Sequence, residues 1–502
     1  MDFLPKILKL ADFFTMPEFL SALEIPQIAI IASSFIFMLS LGFYLLQNLQ
    51  WYNYSLWRTF TKHKKYQWHL YYAIFPVALF LAFEEHFCLY LPIHLIALIA
   101  WYVKLDKKLV WTNRVKRFFA TCIIFLSIDV WLDLSFEIPY FAPLVTLFAA
   151  LIVSKISEIV IMLQYKSLAR EKLKAMPELK IIAITASFGK TSMKNFISAL
   201  LCHKYRTYAT PRSVNTIDGI IADINNNLDE KTQIYIVEAG ARKRGDIAKI
   251  AHLLNHQIAV IGEIGEAHLE YFKSLENTKK AKYELLESQN LEKLYLFKDN
   301  EIPATDAQIT RFPPEIKGAE SNLNGSKFSL KMGGEFVEFE CGILGRFNIA
   351  NIAVAVMIAN DFGIEIKSLV RAVADLAPIE HRLQKISANG KMILDDSFNG
   401  NLAGMEEAIR IASLHKGGKK IIVTPGLVES SIENNTKLAM LIDGVFDVAI
   451  ITGDLNSAIL TRNITRAQKV ILKDKSALQG VLAASTHSGD LILFANDAPN
   501  YI

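Results

Sequence analysis

The sequence predicts an α/β protein: N-terminal transmembrane helices, then a phosphate-loop central domain with a parallel sheet, and a Rossmann-like α/β domain at the C-terminus. Three observations predict this order. Apolar runs of membrane-spanning length are confined to the first third of the chain. A small-residue loop at 183–192 lies between an apolar run and a helical pattern. Strand-like and helix-like segments then alternate to the C-terminus. The predicted boundaries are 1–165 for the transmembrane region, 166–179 for a linker, 180–377 for the central domain and 378–502 for the C-terminal domain.

Composition narrows the class of protein. The chain has 502 residues and a net charge of +4, which is too small to indicate a nucleic-acid partner. Its hydrophobic content of 52 % is high for a soluble enzyme, and the excess lies in the first third. The four cysteines are scattered without a C-x-x-C pair, which favours a reducing compartment over a disulfide framework.

Five apolar stretches are each near the length that a helix needs to cross a bilayer. They lie at 27–46, 68–84, 87–103, 118–136 and 140–164. The loops after the first, third and fifth stretches carry clustered Lys and Arg, whereas the other two loops carry Glu84, Glu85 and Glu137 without Lys or Arg. Basic loops mark the cytoplasmic side. We therefore expect a multi-pass protein of the inner (cytoplasmic) membrane, in contact with lipid, whose catalytic domains lie in the cytoplasm.

Two acids lie inside the fourth apolar stretch. Asp129 and Asp133 are four residues apart and share one face of a helix. Acids inside a membrane can serve a proton path or contact a substrate. Near the outer interface, beside Trp131, they would instead be hydrated, and the sequence favours this second interpretation.

The soluble part shows two successive alternations. Strand-like runs and helical patterns alternate first over 180–376, which favours a parallel sheet covered by helices. Residues 316–341 are predicted as short antiparallel strands with Asn-Gly and Gly-Gly turns. A second alternation begins near 378, with predicted strands at 391–395, 419–424, 447–452, 469–472 and 490–495.

The loop at 183–192 reads A-I-T-A-S-F-G-K-T-S and carries the most explicit chemistry. Gly-Lys-Thr opens a helical pattern directly after an apolar strand, where backbone N–H groups and a helix N-terminus bind phosphate. We expect Lys190 to reach the outer phosphates of a nucleotide and the Thr191 hydroxyl to bind Mg²⁺. Ile184 stands at the position of the usual first glycine, so the motif is incomplete. The other expected nucleotide-binding residues of the loop are Ser187, Gly189 and Ser192.

Three further residues are candidates for the site. Glu238 ends a strand-like run, and an acid at that end of a strand beside the loop can hold Mg²⁺. His268 follows another strand-like run, which suits either a ligand near the nucleotide or an ordinary polar residue. Lys282 lies among other lysines on a helical pattern, which by itself indicates only a solvated basic face.

Taken together, these pieces resemble the Mur ligase family, the ATP-dependent amide ligases of peptidoglycan precursor assembly. The resemblance covers about 180–500 and depends on the common order and spacing of several short stretches. Besides the loop, they are T-P-R-S-V-N-T at 210–216, V-E-A-G-A at 237–241, I-G-E-A-H-L-E at 264–270, A-K-Y-E at 281–284, G-R-F-N-I-A-N at 345–351, H-R-L at 381–383 and D-D-S-F-N at 395–399. Within the family, the chain is most similar to the ligases that add D-Ala-D-Ala to UDP-N-acetylmuramoyl-tripeptide.

The resemblance implies ATP and Mg²⁺ as cofactors, and UDP-N-acetylmuramoyl-tripeptide and D-Ala-D-Ala as substrates. It implies that Lys190 contacts the β- and γ-phosphates. Thr191 with Glu238 would hold one Mg²⁺, and His268 would hold a second. Lys282 matches a lysine that many members carry as a carbamate, which is an anionic metal ligand. The other implied roles are positioning of the phosphoryl or acyl group by Asn215, contact with adenine by Asn348, and contacts with phosphate and ribose by Arg382 and Asp396 once the C-terminal domain closes.

The chain also departs from the family pattern. Ala183 and Ala186 replace glycines, and Ala186 is expected to add a methyl group close to the phosphates. Phe347 replaces a His and Phe398 a Tyr, exchanges that keep stacking but lose a hydrogen bond. The usual N-terminal domain that binds the UDP-sugar is not recognised, and predicted membrane spans stand in its place.

Three alternatives remain open at this point. One is another Mur-family amide ligase, either similar to poly-γ-glutamate synthetases or acting on a lipid-linked precursor. A second is a membrane transport ATPase, although the chain lacks an L-S-G-G-Q-like signature and carries His268 and Lys282, which transport would not need. A third is a non-catalytic scaffold with a decayed site.

Overall fold

The computed structural model of this chain describes residues 25–52, 54–61, 65–105, 107–136, 142–265, 272–398, 400–428 and 430–496. The chain divides into two compact units, Met1–Gln164 and Tyr165–Ile502.

The first unit is helical. Aromatic side chains fill its core: the Phe37 ring lies 4.6 Å from the Phe87 ring and 5.3 Å from the Phe80 ring, measured between ring centres. All three side chains are buried. The described helices are α1 (Gln27–Trp51), α2 (Leu56–Thr61), α3 (Gln67–Ala82, with a π-helical turn at Leu70–Ile74), α4 (Phe87–Val103), α5 (Asn113–Phe136) and α6 (Ala142–Lys174).

Helices occur at each of the five predicted apolar stretches, but only two are membrane candidates by length and composition. These are Gln27–Trp51 and Pro143–Lys174, while Gln67–Ala82 and Phe87–Val103 are shorter apolar helices. The number of five spans, and with it the multi-pass arrangement, therefore stays a prediction. Of the acids singled out above, Asp129 is half-buried on α5. Glu137 and the side chains of Glu84 and Asp133 lie outside the described part.

The second unit begins in the last turns of α6. Lys172 Nζ donates to the Ile224 carbonyl at 2.9 Å, and Asn225 Nδ2 donates to the Tyr165 carbonyl at 2.9 Å. These bonds attach residues 165–174 to the helix that contains Ile224 and Asn225.

A parallel six-stranded sheet follows, in the order β2–β3–β1–β4–β5–β6. Its central strand β1 is a continuous buried apolar run, because helices cover both faces of a parallel sheet. The strands are β1 (Lys180–Thr185), β2 (Thr207–Ala209), β3 (Ile234–Glu238), β4 (Ile258–Ile261), β5 (Lys293–Phe297) and β6 (Gln308–Phe312). The helices of this half are α7 (Lys190–Leu201), α8 (Ile217–Asn227), α9 (Asp246–Leu254), α10 (Leu275–Tyr283), α11 (Arg346–Asp361) and α12 (Ile366–Ala374).

The predicted antiparallel strands within 316–341 are present. They form a three-stranded sheet in the order β7–β8–β9 (Ile316–Asn322, Gly325–Met332 and Glu335–Cys341). Gly333 and Gly334 form its second turn with φ of +58° and +96°, the left-handed conformations that a two-residue hairpin turn requires.

The last part of the chain builds a second six-stranded sheet, in the order β10–β11–β15–β12–β13–β14. All of its strand pairs are parallel except β10 with β11. The predicted α/β class with a parallel sheet is therefore confirmed. The elements are β10 (Gln384–Ala388), β11 (Lys391–Asp396), α13 (Leu402–Ser413), β12 (Lys420–Thr424), α14 (Ile432–Val445), β13 (Val448–Thr452), α15 (Ser457–Asn463), β14 (Gln468–Leu472), α16 (Leu478–Ser485) and β15 (Leu491–Ala495).

Candidate functional site

The loop between β1 and α7 curls around the side chain of its own lysine. Lys190 Nζ donates to the Ala186 carbonyl at 2.8 Å and to the Ser187 carbonyl at 3.3 Å. The loop ends at Gly189, which has φ +77°. A Cβ there would lie 2.7 Å from Asn351 Oδ1, so both the backbone conformation and the space require glycine. The ammonium group is thus held where it can meet a phosphate at the N-terminus of α7.

Ser187 fastens this loop to the segment after β4. Its N–H donates to the Glu263 carbonyl at 2.8 Å, and its Oγ donates to the Gly265 carbonyl at 2.9 Å. The neighbouring Ala186 side chain is fully buried and faces Gly262, where a Cβ would lie 2.8 Å from the Ala186 Cβ. The methyl group of Ala186 therefore packs against residue 262.

Glu238 contacts two other residues that the sequence singled out, one on each oxygen of its carboxylate. It ends β3, next to β1, and is 2 % exposed. Its Oε2 accepts from Thr191 Oγ1 at 2.9 Å, and its Oε1 accepts from Asn215 Nδ2 at 3.0 Å. Carboxylate and hydroxyl oxygens are hard donors of the kind that Mg²⁺ prefers. The pair Thr191 and Glu238, beside the phosphate loop, fits a magnesium ion that is bound together with a nucleotide.

The structure describes the other predicted metal and nucleotide ligands only in part. Among the described residues, no group of three or more His, Cys, Asp or Glu could hold a metal ion. His268 lies outside the described residues, so the predicted second Mg²⁺ site stays a prediction. Ser192 is buried in the first turn of α7.

Lys282 is a buried lysine of this region. It lies on α10 and is 3 % exposed, and its ammonium group forms no hydrogen bond with any residue that the structure describes. Burial lowers the pKa of Lys282 well below the usual lysine value. The charge of Lys190 lowers it further, and the carboxylates of Glu238 and Glu284 oppose both effects. The solvated face that the lysine-rich pattern alone indicates is not found at this position, because the Lys282 side chain is buried, and its predicted role as a carbamate stays a prediction.

The phosphate-loop lysine shares this electrostatic environment. Burial lowers the pKa of Lys190, Glu238 raises it, and Arg382 lowers it. Burial likewise lowers the pKa of Arg382, which Asp396 and Glu238 raise. Arg382 belongs to the C-terminal half, and its Nη1 donates to the Phe398 carbonyl. The charge of Arg382, from the turn just before the second sheet, therefore acts on Lys190 of the phosphate loop.

Asp396 lies at the end of β11 and is buried. Its Oδ1 accepts from the Leu383 N–H at 3.0 Å. His381 and Leu383 both have left-handed backbones, with φ of +61° and +52°. Asp396 thus fixes the turn that presents Arg382, which lies between them.

Sequence reasoning gave no role to the pair beside this turn. His381 Nδ1 lies 2.7 Å from Asp395 Oδ2, and the Phe398 ring packs edge-on against His381 at 4.6 Å. Ser397 N–H donates to Asp395 Oδ1 at 3.1 Å. These residues stand within the H-R-L and D-D-S-F-N stretches, so their position in the two stretches was the available indication.

Asn348 lies in the first turn of α11 and is buried. Its Nδ2 donates to the Leu344 carbonyl at 2.8 Å, and its Oδ1 accepts from Asn351 Nδ2 at 3.2 Å. Asn351 also lies against Gly189 of the phosphate loop. Asn348 is therefore linked to the loop through one side chain, and its contact with adenine stays a prediction.

Comparison with known proteins finds a family match in the middle of the chain. Residues 184–359 match the Mur ligase middle domain. The UDP-N-acetylmuramoyl-tripeptide–D-alanyl-D-alanine ligase of Bacillus subtilis (strain 168) is 26 % identical over 333 residues, which cover 63 % of this chain and 72 % of that enzyme. The ligase of the same name from Escherichia coli (strain K12) is 26 % identical over 270 residues, covering 51 % of this chain and 59 % of that enzyme. The chain thus spans less than two thirds of the second relative.

Solved structures share the fold. The MurF ligase of Thermotoga maritima in complex with ADP superposes with a TM-score of 0.59 at 23 % identity, covering 67 % of this chain and 80 % of that one. MurF from Acinetobacter baumannii gives a TM-score of 0.59 at 20 % identity, covering 67 % and 77 % of the two chains. The part of this chain that superposes on them has the Mur ligase fold.

Proposed function

We propose that this chain, a Mur ligase by its middle domain and its fold, adds D-Ala-D-Ala to UDP-N-acetylmuramoyl-tripeptide with ATP and Mg²⁺. One observation carries this proposal. Glu238 is hydrogen-bonded both to Thr191 of the phosphate loop and to Asn215 of the neighbouring loop. A nucleotide-binding element and an element suited to hold an acyl group therefore meet at one carboxylate.

The reaction requires activation of a carboxylate, which is a poor acyl donor. The γ-phosphoryl group of ATP passes to the carboxylate of the peptide, giving an acyl phosphate and ADP. The amine of D-Ala-D-Ala then attacks the acyl carbon, expels phosphate and loses a proton to give the amide. Thr191 and Glu238 would hold Mg²⁺, which would supply positive charge beside the phosphate oxygens.

The cationic side chains of the site suit the first step. Lys190 is held at the phosphate loop by two carbonyls, and Arg382 adds a second positive charge. Both can stabilise the charge that develops on the phosphoryl group as it is transferred. We assign Asn215, which donates to Glu238, to orienting the transferring phosphoryl or acyl group.

The position of Arg382 supports closure of the C-terminal half over the site, which would exclude water. An acyl phosphate hydrolyses readily, so the two halves of a ligase are expected to close on it. Asp396 fixes the turn that carries Arg382, and the Arg382 charge acts on Lys190. We propose that Arg382 contacts phosphate and that Asp396 contacts the ribose once the C-terminal domain closes.

Lys282 is suited to become a carbamate. An amine reacts with carbon dioxide only in its neutral form, and burial lowers the pKa of Lys282. The product is an anion that would offset the charge of Lys190 and provide oxygen ligands. Together with His268, it would hold a second Mg²⁺.

Exposed cations lie where an anionic acyl substrate could bind. The loops after β2 and β3 are joined by a hydrogen bond of 2.8 Å from the Gly240 N–H to the Asn215 carbonyl. These loops expose four cationic side chains that form no ion pair with any other described residue: Arg212, Arg242, Lys243 and Arg244. We assign them to the diphosphate or the carboxylates of the acyl substrate.

We place the first unit in the inner membrane, in contact with lipid, with the second unit in the cytoplasm. Two described helices are long and apolar enough to cross it. Along α6, large apolar side chains are exposed every three or four residues, which makes one continuous apolar face. They are Val145, Phe148, Ile152, Ile156, Ile159 and Leu163. We keep five spans and the domain boundaries 1–165, 166–179, 180–377 and 378–502 as part of this proposal.

The apolar helices also favour a second candidate, a lipid-linked acyl substrate in place of the soluble UDP-linked one. The full chain in detergent would be incubated with Mg-ATP, D-Ala-D-Ala and either precursor, and the product masses determined. The expected result is addition of one dipeptide to the UDP-linked precursor. Addition of the dipeptide to the lipid-linked precursor but not to the UDP-linked one would favour the second candidate. Repeated addition of single amino acids would indicate a polyglutamate-type ligase.

A further inference from the structure

A second lysine lies one helical turn beyond the phosphate-loop lysine. Lys194 is on α7, four residues after Lys190, and is 1 % exposed. Its Nζ donates to the Thr210 carbonyl at 2.5 Å and to the Arg212 carbonyl. Burying a cation costs free energy unless polar partners compensate. The phosphate-loop motif does not require a lysine here, so its burial needs another reason.

The two carbonyls belong to the loop that carries Asn215. This loop, 210–216, leaves the edge strand β2 and enters α8. Arg212 has φ +47°, a left-handed backbone that is uncommon for a residue with a side chain. A conformation of this kind persists when its surroundings hold it in place, and the Lys194 ammonium group holds the carbonyl of this very residue.

From this loop, Asn215 acts on two other parts of the site. Its side chain donates to Glu238 Oε1 at 3.0 Å. Its carbonyl accepts from the Gly240 N–H at 2.8 Å. A Cβ on residue 240 would lie 2.8 Å from Asn215 Cγ, so the loops fit closely. Movement of loop 210–216 would therefore change the direction of the Glu238 carboxylate.

Two carboxylates lie near the charge of Lys194 and oppose the effect of its burial. Burial lowers the pKa of Lys194, whereas the carboxylates of Glu238 and Asp223 raise it. Asp223 in turn accepts hydrogen bonds from the hydroxyls of Tyr208 and Tyr235, at 2.7 and 2.9 Å. Lys194 is thus the cation of a buried polar layer beneath the phosphate loop.

We propose that Lys194 is a positioning residue that holds loop 210–216, so that Asn215 keeps the Glu238 carboxylate directed toward Thr191 and the nucleotide. Among the described residues, the Lys194 ammonium group forms hydrogen bonds to the Thr210 and Arg212 carbonyls and no ion pair with Glu238. The proposal rests on the proposed function only in taking Glu238 and Thr191 as the site of the magnesium–nucleotide.

The test compares the full chain with its Lys194→Met variant, which keeps the length of the side chain and removes its donors. Two unpaired carbonyls then remain in the interior, which favours displacement of the loop. We expect the dissociation constant for Mg-ADP, measured by calorimetry, to rise about tenfold or more, as for other groups that orient metal ligands. We also expect faster hydrogen exchange at the Gly240 amide.

A matched control is available in Lys204→Met. Lys204 Nζ also donates to two carbonyls, those of Phe362 and Gly363, at 3.2 and 2.9 Å. Its variant should bind Mg-ADP and exchange the Gly240 amide as the unchanged protein does. If Lys194→Met does not fold, Lys194→Gln, which keeps one donor group, is measured in the same way.

A double-variant cycle separates positioning through Asn215 from a general structural role. Asn215→Ala alone should weaken Mg-ADP binding, and adding Lys194→Met should cost much less than it does alone. Fully additive losses in the double variant would overturn the proposal. It would also be overturned if Lys194→Met bound Mg-ADP within about twofold of the unchanged protein and showed unchanged hydrogen exchange at the Gly240 amide. If the unchanged protein bound no Mg-ADP, the proposed function would fail, and exchange at Gly240 would still test the role of Lys194.

Discussion

The Thr191 hydroxyl donates a 2.9 Å hydrogen bond to Glu238 Oε2, joining the first turn of α7 to the end of β3. These are the helix that follows the phosphate loop and the strand adjacent to that loop. Asn215 donates to the other oxygen of the same carboxylate. A magnesium–nucleotide bound beside an acyl group requires this arrangement.

Replacing the phosphate-loop lysine should abolish turnover. In Lys190→Ala the loop loses the ammonium group that two carbonyls hold in place, and with it a charge that stabilises the transferring phosphoryl group. We expect kcat to fall about a thousandfold, measured as phosphate release, with no change in the amount of folded protein. Lys204→Ala serves as the control. Activity near that of the unchanged enzyme in Lys190→Ala would remove Lys190 from the mechanism.

Lys282 should act as a carbamate rather than as an ammonium group. Lys282→Ala is expected to be severely impaired and partly rescued by a short carboxylic acid, which supplies the missing anionic oxygens. Carbon-13 NMR of the unchanged protein under labelled carbon dioxide should give a carbamate resonance that the variant lacks. Full activity of the variant without added acid would rule out this role.

Stability should also depend on pH through Lys282. Since burial lowers its pKa in the folded state, the unfolded chain binds more protons between that lowered pKa and the ordinary lysine pKa. The contribution of Lys282 to the free energy of unfolding therefore increases as pH rises through this window. Lys282→Met removes that contribution, so the variant should gain stability over the unchanged protein at the acidic end and lose this gain toward the basic end. Denaturant midpoints at several pH values, without added carbon dioxide, measure this difference, and a difference independent of pH would contradict it.

The exposed cations after β3 should select the acyl substrate. Replacing Arg242, Lys243 and Arg244 together by Ala is expected to raise KM for the acyl substrate about tenfold or more and to reduce its salt dependence. KM for ATP should not change. A control variant replaces three exposed lysines of the β7–β9 sheet by Ala: Lys317, Lys327 and Lys331. An equal effect of both triple variants would show that only net charge matters.

Much of the fold follows from buried apolar runs. The strands predicted at 419–424 and 447–452 agree closely with β12 and β13, because a parallel strand covered on both faces is largely apolar. The strand β10, with sequence Q-K-I-S-A, was missed. It lies at the sheet edge, is only partly buried, and mixes polar with apolar residues, so its pattern does not distinguish it from a loop.

The residues proposed for the site follow from the sequence, whereas several of the contacts between them do not. Thr191 and Glu238 were expected together, because a phosphate loop and a strand end have fixed places in a parallel sheet. The lysine-rich helical pattern by itself predicts a solvated face for Lys282, and only the family resemblance pointed to a place in the site. Lys194 shares a helix face with Lys190, but the loop that it holds is distant in sequence and reaches it only through tertiary folding.

The most direct measurement is phosphate release by the full chain in detergent with Mg-ATP, with the two proposed substrates added singly and together. We expect release only when UDP-N-acetylmuramoyl-tripeptide and D-Ala-D-Ala are both present, with a product mass equal to that of the pentapeptide precursor. Release that needs neither substrate, or no release with both although Mg-ATP binds, would contradict this expectation.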